Sequence, residues 1–221
     1  MTTILVLILS AFAGWAVNLL ADGVPQKLKP SEVLRLAPEF IQQRPKRYLL
    51  VTLVAVSLGE IAYLRAGWSL LGAILAIQAW FFLAIAVIDL EHRRVLNRML
   101  LPALPLILLC NGLVGLPTLR SALVGALFGF GVFLLLALVW RGGMGMGDVK
   151  LAGVIGLATG LSGALIAVLV SFYAGGIAAV VILLRSRKRG QTMAYAPYLA
   201  FGAWVALFWG KEILRLYASI G

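Results

Sequence analysis

Acids are scarce in this sequence: eight Asp and Glu stand against nineteen Lys and Arg in 221 residues, a net charge of +11. Charge of either sign is sparse, at 12% where soluble domains carry about 25%. The single cysteine, Cys110, excludes a disulfide-stapled secreted scaffold. The single histidine, His92, leaves little material for His-based catalysis. What the chain has instead is apolar mass. Hydrophobic residues make up 62%, and the mean hydropathy is +1.03, which excludes a disordered tail. In a soluble protein, +11 would suggest nucleic acid; in a membrane protein it is the ordinary signature of cytoplasmic loops. The composition selects the second meaning, so no nucleic-acid partner is expected and the bilayer is.

A bilayer core about 30 Å thick takes roughly 17–25 apolar residues as a helix. By that measure the apolar stretches fall at about 4–20, 48–64, 67–88, 99–116, 121–140, 149–159, 161–184 and 194–217. The fold class is therefore an all-α polytopic membrane protein of about eight transmembrane helices in one domain over 1–221. Seven spans would result if 149–184 formed one long helix, but Gly160 and Gly163 favour a break. The loops test the count. Residues 21–47, 89–98, 141–150 and 185–191 hold fifteen of the nineteen cations, including Arg141, Arg185, Arg187, Lys188 and Arg189. Positive loops stay in the cytoplasm, so these four face inward and both termini face out. With seven spans the 185–191 cluster would fall outside. Residues 21–47, with Pro25, Pro30, Pro38 and Pro45, have room for a short interfacial helix around 31–43.

Seven of the eight acids can then be placed. Asp22, Glu32 and Glu39 lie in the first cytoplasmic loop. Glu60 and Glu212 read as interfacial side chains reaching water. Asp89, after the run Phe81–Ile88, and Asp148, ending Gly142-Gly143-Met144-Gly145-Met146-Gly147, both fall at the cytoplasmic membrane face. An ionisable group at membrane depth costs about 2.5–3.5 kcal/mol on insertion scales, which makes it a functional candidate. Taken singly, each has a plain explanation: Asp148 as the N-cap of the sixth span, Asp89 as an i,i+4 partner of Arg93. Taken together on one face, they suggest a pair. Two carboxyls about 3 Å apart cannot both ionise, so they share a proton. One can then take a proton from water while the other polarises a carbonyl. Helix dipoles favour the charge on Asp148, at a helix N-terminus, and leave the shared proton to Asp89, at a C-terminus. Gly145 and Gly147 would let another segment approach closely.

These residues resemble the type IV prepilin peptidases, membrane aspartic proteases of the GxGD type. Gly145-Met146-Gly147-Asp148-Val149-Lys150-Leu151 is similar to their GxGDxKL motif. Ile88-Asp89-Leu90-Glu91-His92, continuing through Asn97 to Leu101-Pro102, is similar to their first motif, and Tyr195–Ala203 to a late proline-centred segment. The resemblance implies an endopeptidase of the plasma (cell inner) membrane, acting at the cytoplasmic face. Its substrates would be prepilin or pseudopilin precursors, from which it removes a short basic leader. Asp89 and Asp148 would be the catalytic pair, with Gly145, Gly147 and Lys150 in support. Many members carry a four-Cys zinc site in the first cytoplasmic loop and methylate the new N-terminus. Residues 21–47 contain no Cys, so no metal or other cofactor is expected, and peptidase activity alone. Glu91, Glu39 and Glu32 are candidates to receive the leader's charge. The rival readings are a small transporter or channel using intramembrane carboxylates, and a catalytically silent scaffold. A presenilin-type protease shares GxGD but typically has Tyr where this chain has Ile88.

Overall fold

A computed structural model describes residues 2–139, 144–186 and 194–220. Arg141, Gly142, Gly143 and the cations Arg187, Lys188 and Arg189 lie outside the described residues. Eight helices follow one another among those described: α1 Thr2–Gln26, α2 Pro30–Gln43, α3 Pro45–Ala66, α4 Leu70–His92, α5 Asn97–Val114, α6 Leu119–Val139, α7 Met146–Ser186 and α8 Ala196–Ile220. Six of them (α1, α3, α4, α5, α6 and α7) are long and apolar enough to cross a membrane. The chain is thus an all-α polytopic membrane protein. Its contacts divide it into two compact units, Met1–His92 and Arg93–Gly221.

In the first unit, α1, α3 and α4 pack on one another and α2 lies between α1 and α3 in sequence. The apolar run of α4 is enclosed from Phe82 through Asp89. Helix α2 is amphipathic and starts with Pro30 at its first turn, where a missing N–H costs nothing. Val33 packs on Gly23 of α1, while Leu34 and Ile41, seven residues apart on the same face, stay exposed. Two acids sit differently from the sequence expectation. Helix α1 runs on to Gln26, which takes Asp22 out of the loop and buries it at 5% exposure. Glu60 keeps one carboxyl oxygen buried within α3, without a hydrogen-bond partner among the described residues, so it does not simply reach water.

In the second unit, α6 and the first part of α7 meet through glycine. A Cβ on Gly125 would come within 2.5 Å of the Gly160 backbone, and one on Gly129 within 2.4 Å of the Ala152 carbonyl oxygen. Small residues of this kind let membrane helices approach to backbone contact. Helix α7 is broken at Gly160, whose φ of 72° belongs to the left-handed region that favours glycine. A straight helix would carry Phe172 about 18 Å past that point at about 1.5 Å per residue. Instead Phe172 stacks on Phe133 of α6, ring centroids 5.6 Å apart. Phe133 is one turn beyond Gly129 and so lies level with the start of α7. The second half of α7 therefore folds back along the first, as the sequence break at Gly160 suggested. Helix α8 then packs on that returning half, with Gly202 against the Ala167 carbonyl.

Candidate active site

Asp148 is the third residue of α7, in the first turn rather than at the cap. The helix starts three residues earlier than a capping role needs: the Asp148 N–H donates to the Gly145 carbonyl at 3.0 Å, closing the first turn. The carboxylate bends back toward Gly145, where a Cβ would lie 3.4 Å from Oδ2. Gly147 has a stricter reason to be glycine. A Cβ there would sit 2.7 Å from Val95 Cβ and 3.1 Å from the Val95 carbonyl oxygen, so any side chain would displace the segment leading into α5. Lys150 reaches the same segment, donating from Nζ to Asn97 Oδ1 at 3.0 Å. Farther along, Asn111 Nδ2 donates to the Leu157 carbonyl at 2.8 Å, joining α5 to α7 in the interior. Val149 and Leu151 are fully buried. The stretch Gly145–Leu151 is thus fixed from both sides, and Asp148 stands in the first turn of α7, at the helix end whose dipole favours a negative charge.

Tyr195, just ahead of α8, completes these surroundings. Its hydroxyl donates to the Ser171 carbonyl at 3.2 Å, its ring packs on Phe133 and Gly175, and it lies close enough to Asp148 to feel that charge.

Asp89 occupies the last turn of α4 and is 4% exposed. The helix stops at His92, and Arg93 takes a left-handed φ of 51°, so the continuous helix that an i,i+4 pairing with Arg93 requires is not formed. Beside it, Glu91 is engaged by two arginines of its own unit. Arg44 Nη1 donates to Glu91 Oε2 at 2.7 Å, and Arg47 Nη1 donates to both carboxylate oxygens at 3.0 and 3.1 Å. Arg47 also grips Asp22 with both terminal nitrogens, and the Tyr48 hydroxyl donates to Asp22 Oδ2 at 2.8 Å. Glu32 accepts the Lys29 backbone N–H at 2.8 Å and so closes the start of α2. Glu39 is exposed on the same helix.

Gly145, Gly147, Asp148 and Lys150 are therefore gathered in one place, in the second unit. Asp89 and Glu91 belong to the first. Of the three acids offered as leader receptors, Glu91 and Glu32 hold structural partners, and Glu39 shows none among the described residues. Among the described residues no group of three or more His, Cys, Asp or Glu gathers closely enough to hold a metal ion. The sequence reading missed Asp22, Arg47 and the partnership of Lys150 with Asn97. Asn97 had a local signal, its place in the first motif, whereas nothing in the chain near Asp22 announces an arginine 25 residues away.

Residues 76–180 match the family model of the type IV leader peptidase family. A "Prepilin leader peptidase/N-methyltransferase" of Pseudomonas aeruginosa is 35% identical over 178 residues, covering 78% of this chain and 61% of the relative. The protein of the same name from Aeromonas salmonicida is 35% identical over 183 residues, with 78% and 62% covered. That of Xanthomonas campestris is 31% identical over 187 residues, with 79% and 62% covered. The chain spans about six-tenths of the length of these relatives. No solved structure gives a significant match.

Proposed function

The chain belongs to the type IV leader peptidase family, and from that membership we propose that it is a membrane aspartic endopeptidase removing the short basic leader of prepilin-like precursors. Asp89 and Asp148 act as the catalytic pair. The ionised carboxylate takes a proton from water as the water oxygen attacks the scissile carbonyl carbon, and the protonated partner donates to the carbonyl oxygen. Collapse of the tetrahedral intermediate breaks the C–N bond and returns a proton to the leaving amine. In the resting pair the proton sits on Asp89 and the charge on Asp148, each at the helix end that suits it.

The observation that carries the reading is the construction of the Gly145–Leu151 turn. Gly147 is closed to side chains by Val95, Lys150 is held by Asn97, and Asp148 is presented from the first turn between them. A structural aspartate would need none of this; a carboxyl held in one geometry for catalysis does. Counting the two halves of α7 separately and adding α8 gives eight crossings. With the basic loops inward, both carboxyls then lie at the cytoplasmic face of the plasma membrane. The substrate fits that arrangement, since it keeps its basic leader in the cytoplasm and its apolar segment in the bilayer. Glu39, exposed on α2, is the acid best placed to meet the leader.

The relatives' name includes N-methyltransferase; for this chain we propose peptidase activity only, because residues 21–47 lack the cysteines that accompany methylation in the resemblance. One observation favours a second reading, a transporter: Glu60 buries a carboxyl oxygen inside α3. Purified protein in proteoliposomes separates the two. The peptidase reading expects a shortened substrate with a new N-terminus defined by mass spectrometry, and no ion flux; flux without cleavage would replace it with the transporter.

A further inference from the structure

Away from the Gly145–Leu151 turn, ion pairs gather around Glu91. Arg47, at the start of α3, bridges Asp22 of α1 and Glu91 of α4, and its Nη2 also reaches the Asn18 carbonyl at 3.4 Å. The Arg47 and Asp22 side chains are only 13% and 6% exposed. With Arg44 the cluster holds two cations and two anions, so it is neutral as a whole and offers no net charge to attract a basic leader. What it does offer is a mechanical tie. Helix α4 ends one residue after Glu91, and a final turn has carbonyls without intrahelical partners, so it frays unless something holds it. Successive helical residues are about 100° apart, with 3.6 to the turn, which puts Glu91 and Asp89 on opposite faces of α4. Holding Glu91 against α1 and α3 therefore fixes the rotation of the turn that also carries Asp89.

We propose that Arg47, acting through Glu91 and braced by Asp22, is a positioning residue that fixes the rotation of the last turn of α4 and with it the Asp89 carboxyl. The assignment rests on the reading of Asp89 as one of the catalytic pair. Losing the tie lets the turn rotate, so Asp89 spends less time in the geometry where it shares its proton. Because Arg47 touches no reacting atom, the loss falls on turnover and on the protonation behaviour of the pair, not on substrate affinity.

The test uses the full chain in proteoliposomes with a prepilin-like substrate, comparing wild type, Asp89→Asn, Arg47→Gln and Glu91→Gln. The expected result is kcat reduced at least tenfold in Arg47→Gln and Glu91→Gln, KM within twofold of wild type, and a displaced pH–rate profile. A smaller folded fraction would scale that profile without moving it. Should Arg47→Gln fail to fold, Asp22→Asn/Arg47→Gln carries the same test, since it removes the tie and leaves neither Asp22 nor Arg47 as an unpaired buried charge. Folded variants with wild-type kcat and pH profile would overturn the positioning role while Asp89→Asn remains inactive. A tenfold rise in KM with kcat kept would also overturn it and return Glu91 to leader binding. Retained cleavage in Asp89→Asn would remove the catalytic reading itself, and the positioning role with it.

Discussion

Replacing Gly156 by Ala is the sharpest probe of how α6 and α7 are joined. A Cβ at 156 would lie 2.0 Å from the Gly125 carbonyl oxygen, 2.4 Å from its carbon and 2.8 Å from the Ala126 nitrogen. Ordinary contact begins at 3.4 Å, so the closest approach is about 1.4 Å short. All three obstacles are backbone, so no rotamer change relieves them and the helices must separate. Overpacking a filled interior costs about 1–3 kcal/mol, and a backbone clash belongs at the upper end of that range. Ala gains about 0.5–1 kcal/mol over Gly in a helix, which leaves a net loss of about 2 kcal/mol or more. For a chain of this size that lowers Tm by roughly 4–8 °C. Gly131, on the same α6, is the internal control: nothing lies within 4 Å of its would-be Cβ, so Gly131→Ala should be neutral or gain about 0.5–1 kcal/mol. Thermal unfolding of the purified full chain, followed by the fluorescence of its six Trp, ranks the two. A Gly156→Ala protein as stable as Gly131→Ala would refute the glycine-mediated contact.

Three further outcomes follow from the site. Gly147→Ala should lower cleavage by about tenfold or more, because displacing Val95 shifts the turn that carries Asp148; the assay is leader removal, and unchanged rates would sink the argument. Lys150→Met removes the bond to Asn97 and, as an exposed polar contact, should cost only about 0.5–1.5 kcal/mol of stability in a denaturant titration while lowering kcat more than it raises KM. Infrared difference spectra should lose the protonated-carboxyl band in Asp89→Asn and keep it in Asp148→Asn; equal loss in both would contradict the proposed resting location of the proton.

Much of this architecture was legible in the residues because the bilayer imposes a length on apolar runs. The stretch at 67–88 became α4 at Leu70–His92, the short helix expected around 31–43 became α2 at Pro30–Gln43, and the break at Gly160 became a reversal within α7. The glycines of the GxGD stretch were legible as sites of close approach, though not their neighbour, Val95, since the partner of a glycine leaves no mark on the glycine. The ion pairs were not legible for the same reason. Asp22 reads as a loop acid because Pro25 and two lysines follow it, yet α1 continues past it and an arginine from α3 encloses it. Glu91 reads as a candidate to receive the leader's charge, and becomes a tie only when Arg44 and Arg47 are brought to it in space.

On the proposed mechanism two carboxyls, Asp89 and Asp148, jointly hydrolyse a leader peptide. The most direct measurement is leader removal from a prepilin-like substrate by purified wild type, Asp89→Ala and Asp148→Ala, each with its fold verified by thermal unfolding. Residues that act as one unit fail together, so either substitution should abolish cleavage and the double variant should be no worse than either single one. Cleavage retained in either folded variant would contradict the mechanism.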